Sequence, residues 1–350
     1  MMHRTIPQYF IIVVTLMLSL HLGGVVGTVY GADDAAKKRQ ELLRKIQELE
    51  QQKREEQQRF IKKQEKTKPT GKSLDEVIAR YEKLLKGCVG KKNSRCADVI
   101  STLASLYYDQ ARDNYIRARE EYEEKMEQWE RRQSGPEPVN PLPDYSKSLS
   151  MYKRLIKEYP DFNRVDEAYY QIGTINLVMG ALDVSRQAFE KLIEEKPNSR
   201  RASAAHFRLA DFAYMEHDYS RALKHLKQVK EAEVTLEIVE MSQYRKAEIY
   251  YNMAEFDKAI DLFFKYRENC DAGSYRKCEF REEALEFMAI SFSDMDNGAE
   301  QAIKFFQRIG GRPYEKDVLY TIGFKNRKHG QYDDAILALS TALERFPYYK

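Results

Sequence analysis

The chain has 350 residues but only 1 tryptophan, 10 prolines and 16 glycines. So few breakers exclude a loop-rich or many-turned strand fold and favour long helices joined by short turns. Charge of one sign is also missing: 58 Lys+Arg stand against 55 Asp+Glu, a net charge of +3. Strong nucleic-acid binding needs a more lopsided basic field, so nucleic acid is not expected as a partner. Catalytic signatures are absent: there is no phosphate-cradling glycine loop, no nucleophile elbow and no His-Glu zinc helix. Adjacent carboxylates such as Glu194-Glu195 and Glu282-Glu283 point about 100° apart on a helix, which suits no shared acid/base site. The expectation is a non-enzyme without a cofactor.

Cysteines are few and ordered. The four fall as Cys88…Cys96 and Cys270…Cys278, each with seven residues between. In an oxidising compartment, matched local pairs read as two disulfides, each stabilising by roughly 2–3 kcal/mol. Zinc is the competing reading, but the histidines are scattered and neither C-x2-C nor C-x4-C spacing occurs, so no metal is expected.

The one long apolar run lies at the start. Arg4 is followed by Phe10–Val14 and Leu16–Leu20, then by small residues around Gly31 and Ala32. That is the form of a secretory signal peptide over 1–31, which places the mature chain outside the cytosol. An uncleaved anchor is the alternative, since residues 10–30 are just long enough to cross a bilayer. No cysteine closes the run, so nothing supports a lipid anchor.

Residues 32–68 are almost wholly charged or glutamine. Leu42, Ile46 and Leu49 form an apolar seam, but its register continues onto Lys53, Glu56, Phe60 and Lys63. A polar helix with at most a short coiled coil is expected, as a stalk or an oligomerisation element. Ser73-Leu-Asp-Glu76 has the form of a capping box and opens a further helix. A helical part over 73–133 then meets a linker at 134–143, where four prolines preclude helix.

From residue 144 the chain repeats itself. A small residue recurs at 173, 210, 247 and 323, and a second at 148, 185, 222, 259, 302 and 335. Intervals in the second series are 37, 37, 37, 43 and 33. Small residues on paired helices permit close approach, and the aromatic or leucine four positions later fills the space beside them. One such pair leaves an apolar face uncovered, so several must stack.

This pattern resembles the tetratricopeptide repeat (TPR). It is specific at Tyr169–Gly173 to Pro197 and at Leu319–Gly323 to Pro347, and looser where Lys246 and Val234 replace expected residues. An insertion over roughly 112–143 splits the first repeat. With a signal peptide and a polar helix, the chain is similar to exported bacterial envelope TPR proteins, including those of Tol–Pal, barrel-assembly and gliding-motility complexes. The resemblance implies an all-α solenoid preceded by a polar helix. It also implies a periplasmic scaffold that binds other envelope proteins, alone or within a larger complex. A peptidoglycan or polysaccharide binder is the alternative, because tyrosine-rich grooves stack on sugar rings. Tyr170, Phe207, Tyr244, Phe287 and Tyr320 are read as one first-helix position in five repeats, an aromatic ladder facing the groove; the competing reading packs them between repeats. The last repeat has no capping helix within the sequence, which leaves its outer face for a partner, a second copy or further chain.

Overall fold

The computed structural model describes residues 73–132 and 135–347. The expected signal peptide and charged helix lie outside the described residues. Within them the fold is all-α: thirteen α-helices, one 3₁₀ turn at Glu231–Glu233 and no strand. The helices are α1 Leu74–Lys86, α2 Ser94–Arg132, α3 Ser146–Glu158, α4 Val165–Val178, α5 Leu182–Glu195, α6 Arg200–Met215 and α7 Tyr219–Leu226. They continue with α8 Leu236–Asn252, α9 Phe256–Asp271, α10 Arg281–Ser293, α11 Gly298–Arg308, α12 Glu315–Lys328 and α13 Tyr332–Arg345.

Caps open several helices. Ser73 Oγ accepts from the Glu76 amide at 3.2 Å, as the capping box predicts. Ser199, Asp218 and Thr235 likewise cap α6, α7 and α8. A second repeating device turns four of the first helices into their partners. The amides of Ala181, Asp218, Glu255 and Gln331 each bond the carbonyl five residues back, at 2.8–2.9 Å. The residue before each is left-handed: Gly180, His217, Ala254 and Gly330. This is the Schellman turn, which satisfies the last carbonyls of a helix and needs positive φ. Two repeats place glycine there and two accept the cost of a side chain.

Successive helices pack in pairs, α2 with α3, α4 with α5, and so on to α12 with α13, and each pair then meets the next. The small residues sit at the closest approach. Ser148, Ser185, Ala222, Ala259, Ala302 and Ala335 are all buried. Ser185 Oγ donates to the Gly173 carbonyl at 2.7 Å, and Ser148 Oγ to that of Ala104 at 2.8 Å. Ala104 therefore holds in α2 the place that Gly173 holds in α4. Beyond Ala104, α2 runs on for several turns before the chain returns through the proline segment to α3. Trp129 Nε1 donates to the Gly135 carbonyl and Arg119 to Asn140, tying that return to α2.

Gly173 shows why the position must be small. A Cβ there would stand 2.6 Å from the Phe189 ring. Gly323 meets Leu339 in the same way. Gly173→Ala is expected to destabilise by about 1–2 kcal/mol through overpacking. An open helical site would instead gain up to about 1 kcal/mol from the same change. Urea unfolding separates the two, and a raised midpoint would refute the close packing.

Both cysteine pairs are joined, with Cα atoms 5.7 Å apart in each. Cys88–Cys96 closes the turn between α1 and α2. Cys270–Cys278 ties the end of α9 to the loop before α10. At the far end, Ile336 and Leu343 are 64% and 56% exposed. They occupy the places of Arg186 and Ile193, 150 residues earlier, which reach into the following pair: Arg186 stacks 5.3 Å over Phe212, and Ile193 packs with the cluster around Phe189 and Phe212.

Candidate functional site: a charged seam on the first helices

The five aromatic positions do not form the expected ladder. Phe207 and Tyr244 are only 3% and 4% exposed, and both belong to the core. Tyr244 stacks on Phe280 at 4.5 Å and meets Phe263 and Tyr266 edge-on or tilted. Tyr170 leans on Phe189 of its own repeat at 5.6 Å. Tyr320 stacks on Phe324 at 6.2 Å. Phe287 is half-buried and stacks on Phe263 at 5.6 Å. Tyr170, Tyr244 and Phe287 turn toward a second helix, whose rings they meet at favourable centroid distances.

Phe287 also sits out of register. The buried positions of α10 include Ala284, Leu285, Met288, Ala289 and Phe292; those of α12 include Val318, Leu319, Ile322, Gly323 and Asn326. The two series align at an offset of 34, which pairs Ala289 with Gly323 and Glu286, not Phe287, with Tyr320. One additional residue in the turn, which holds Asn297 left-handed, separates α10 from α11. Interval counting from the second helix carried that residue into the first.

What the first helices present instead is charge. One position after Phe207 and Tyr244 stand Arg208 and Arg245, and four positions after them Asp211 and Glu248. Arg245 Nε donates to Asp211 at 3.1 Å, and its Nη1 donates to Glu248 at 2.7 Å. Its guanidinium lies 4.4 Å over the Tyr214 ring. Asn252 Nδ2 donates to Tyr214 and to the Glu248 carbonyl, extending the seam along α8. Arg208 Nη1 approaches Asp211 at 3.8 Å, but its Nε is buried with no partner.

The electrostatics are unbalanced. Burial pushes the Glu248 carboxyl up to about 7; Arg245 opposes the shift, while Asp211 and Glu283 add to it. The Glu283 carboxyl is likewise raised by burial and by Glu286. A folded seam that keeps a carboxyl so reluctant to ionise, beside an unsatisfied guanidinium donor, is incomplete as a purely structural network. Sequence reading passed over these residues because each repeat carries many charges. The available signal was the 37-residue spacing of Arg208 to Arg245 and Asp211 to Glu248, beside the buried ladder positions.

Residues 167–199 match the family model described as tetratricopeptide repeat. Among solved structures, the chain is similar to the C-terminal part of a TPR repeat-containing protein from Cytophaga hutchinsonii. That similarity is at 13% identity over 79% of this chain and 92% of that one, with a TM-score of 0.41. It is also similar to yeast Tom70, at 13% identity over 77% of this chain and 55% of that one, with a TM-score of 0.30. The family match covers α4, α5 and the turn between them, and the same buried small residues and Schellman turn recur in the pairs that follow. Residues 167–199 are a tetratricopeptide repeat, and the helix pairs that follow are built on the same plan.

Proposed function

We propose that this protein is a non-catalytic scaffold that binds partner proteins through the face of its first helices, at Arg208, Asp211, Arg245 and Glu248. The observation that carries this reading is the incomplete seam: a guanidinium donor without an acceptor on Arg208, and on the next first helix a carboxyl held near neutrality at Glu248. A partner segment bringing a carboxylate to the partly exposed Arg208 guanidinium and a cation to Glu248 would complement the seam, and such charge-assisted contacts favour specificity and on-rate.

The setting we propose is the bacterial periplasm. It rests on the signal-like start and on the two joined cysteine pairs, which suit an oxidising space. Among the described residues no helix is long and apolar enough to cross a membrane.

Crosslinking capture from envelope fractions tests the reading. Arg208→Glu with Arg245→Glu should lose at least one captured protein that wild type retains. Lys191→Glu, on an exposed site of α5, should lose none. An unchanged set for the double variant refutes the seam as the binding face. Loss of cell-wall fragments in place of proteins would favour the saccharide reading.

A further inference from the structure

Glu240 is the residue that scaffolding leaves unexplained. It lies in α8, only 3% exposed. Its Oε1 accepts from the Cys278 amide at 2.5 Å and from the Tyr266 hydroxyl at 3.3 Å. Cys278 is left-handed at φ 49°, so Oε1 holds an otherwise costly turn in place. Oε2 is buried and has no partner. A carboxylate oxygen, Cys270 Sγ and Cys278 Sγ lie within 4.8 Å of one another. Among the described residues no other group of three histidine, cysteine or acidic side chains converges in this way.

A turn cap does not require this chemistry. Glutamine would offer the same acceptor to Cys278, and a buried carboxylate oxygen without a donor carries a desolvation cost. The other pair makes the contrast. There Asn93 Oδ1, a neutral acceptor, caps the Cys96 amide at 3.0 Å. The carboxylate oxygen left without a partner beside Cys270 and Cys278 is a ligand atom open to a cation.

We propose that Glu240, Cys270 and Cys278 form a redox-switched site for one zinc-like divalent cation, which binds when the Cys270–Cys278 bond is reduced. A dithiol reductant is oxidised to its disulfide and delivers two electrons and two protons. The Cys270–Cys278 S–S bond breaks and two thiols form. The cation then displaces both thiol protons to solvent and forms two metal–sulfur bonds and one metal–oxygen bond. Zinc takes thiolate at about 2.3 Å and carboxylate at about 2.0–2.2 Å, so the sulfurs must separate to roughly 3.8 Å. Three protein ligands leave one position for water, which the partly exposed cysteines admit. Two thiolates and a carboxylate suit zinc or cobalt over magnesium or calcium.

The test uses the full chain as Cys88→Ser with Cys96→Ser, so that only this pair remains. A phosphine reductant opens the bond, itself becoming the phosphine oxide with oxygen from water. Cobalt(II) is then titrated. One equivalent should bind with sulfur-to-cobalt charge-transfer absorption, and the unreduced protein should show none. Glu240→Gln should weaken binding by about tenfold or more. Absence of the absorption, or equal affinity in Glu240→Gln, overturns the site. A measurement without any change at position 240 stands beside it: equimolar zinc should slow alkylation of both thiols in the reduced protein. Equal alkylation with and without zinc overturns the proposal as well.

Discussion

Phe263→Ala lowers the unfolding free energy by about 3–5 kcal/mol, the cost of removing a large ring from a packed interior. Phe263 is fully buried in α9. Its ring meets Tyr244 of α8 at 5.7 Å, edge-on, and Phe287 of α10 at 5.6 Å, stacked. It thus joins the two helices of one repeat to the first helix of the next. In a solenoid, stability is close to a sum of repeat and interface terms, so truncation here strikes both at once. Urea unfolding should show the loss, and it should also broaden or split the transition as the pairs on either side uncouple. Phe324, 53% exposed on α12, supplies the control. Phe324→Ala should change stability by no more than about 0.5 kcal/mol. Similar losses in the two variants would mean that Phe263 does not hold the repeats together.

A second large effect depends on pH. Glu248 ionises near 7 in the folded chain, against an ordinary value of 4.5, so the folded state holds its proton more tightly than the unfolded state does. Below about pH 4.5 both states are protonated and the native state bears no penalty. As pH rises toward 7, the unfolded carboxyl ionises freely while the folded one resists, and stability falls. Above 7 the loss is complete and amounts to up to about 3 kcal/mol. Glu248→Gln removes this titration and keeps the side chain's shape. The difference in stability between variant and wild type should therefore shift in the variant's favour by up to about 3 kcal/mol between about pH 4 and pH 8. Parallel pH profiles would show that Asp211, Arg245 and Glu283 leave Glu248 unperturbed. A native state that tolerates such a cost at one largely buried carboxyl fits the stability–function trade-off of the proposed seam.

The repeat architecture was legible because its constraints are local and periodic. Gly173, Gly323 and the alanines and serines opposite them must be small wherever two helices touch, so they recur at readable intervals. The partner four residues on, Tyr152, Phe189, Leu226, Phe263 or Phe306, is buried in five of the six, and Leu339 in the last is half-buried. The cysteine pairs were legible for the same reason, since a separation of eight residues lets one loop close on itself. Register failed at Phe287, where one additional turn residue shifted the count, and the aromatic ladder failed with it. A ring on an amphipathic helix has the same spacing whether it faces a groove or the neighbouring helix, and only packing chooses between them.

By itself, then, the order of residues determined that this chain pairs its helices, where each pair must be narrow and which cysteines can join. Tertiary structure alone decided what converges across helices. Arg245 of α8 meets Asp211 of α6, and Glu240 reaches two cysteines thirty or more positions away. Helical period governs contacts within a turn or two, whereas meetings between side chains from different helices depend on crossing geometry and on which gaps the core leaves to be filled.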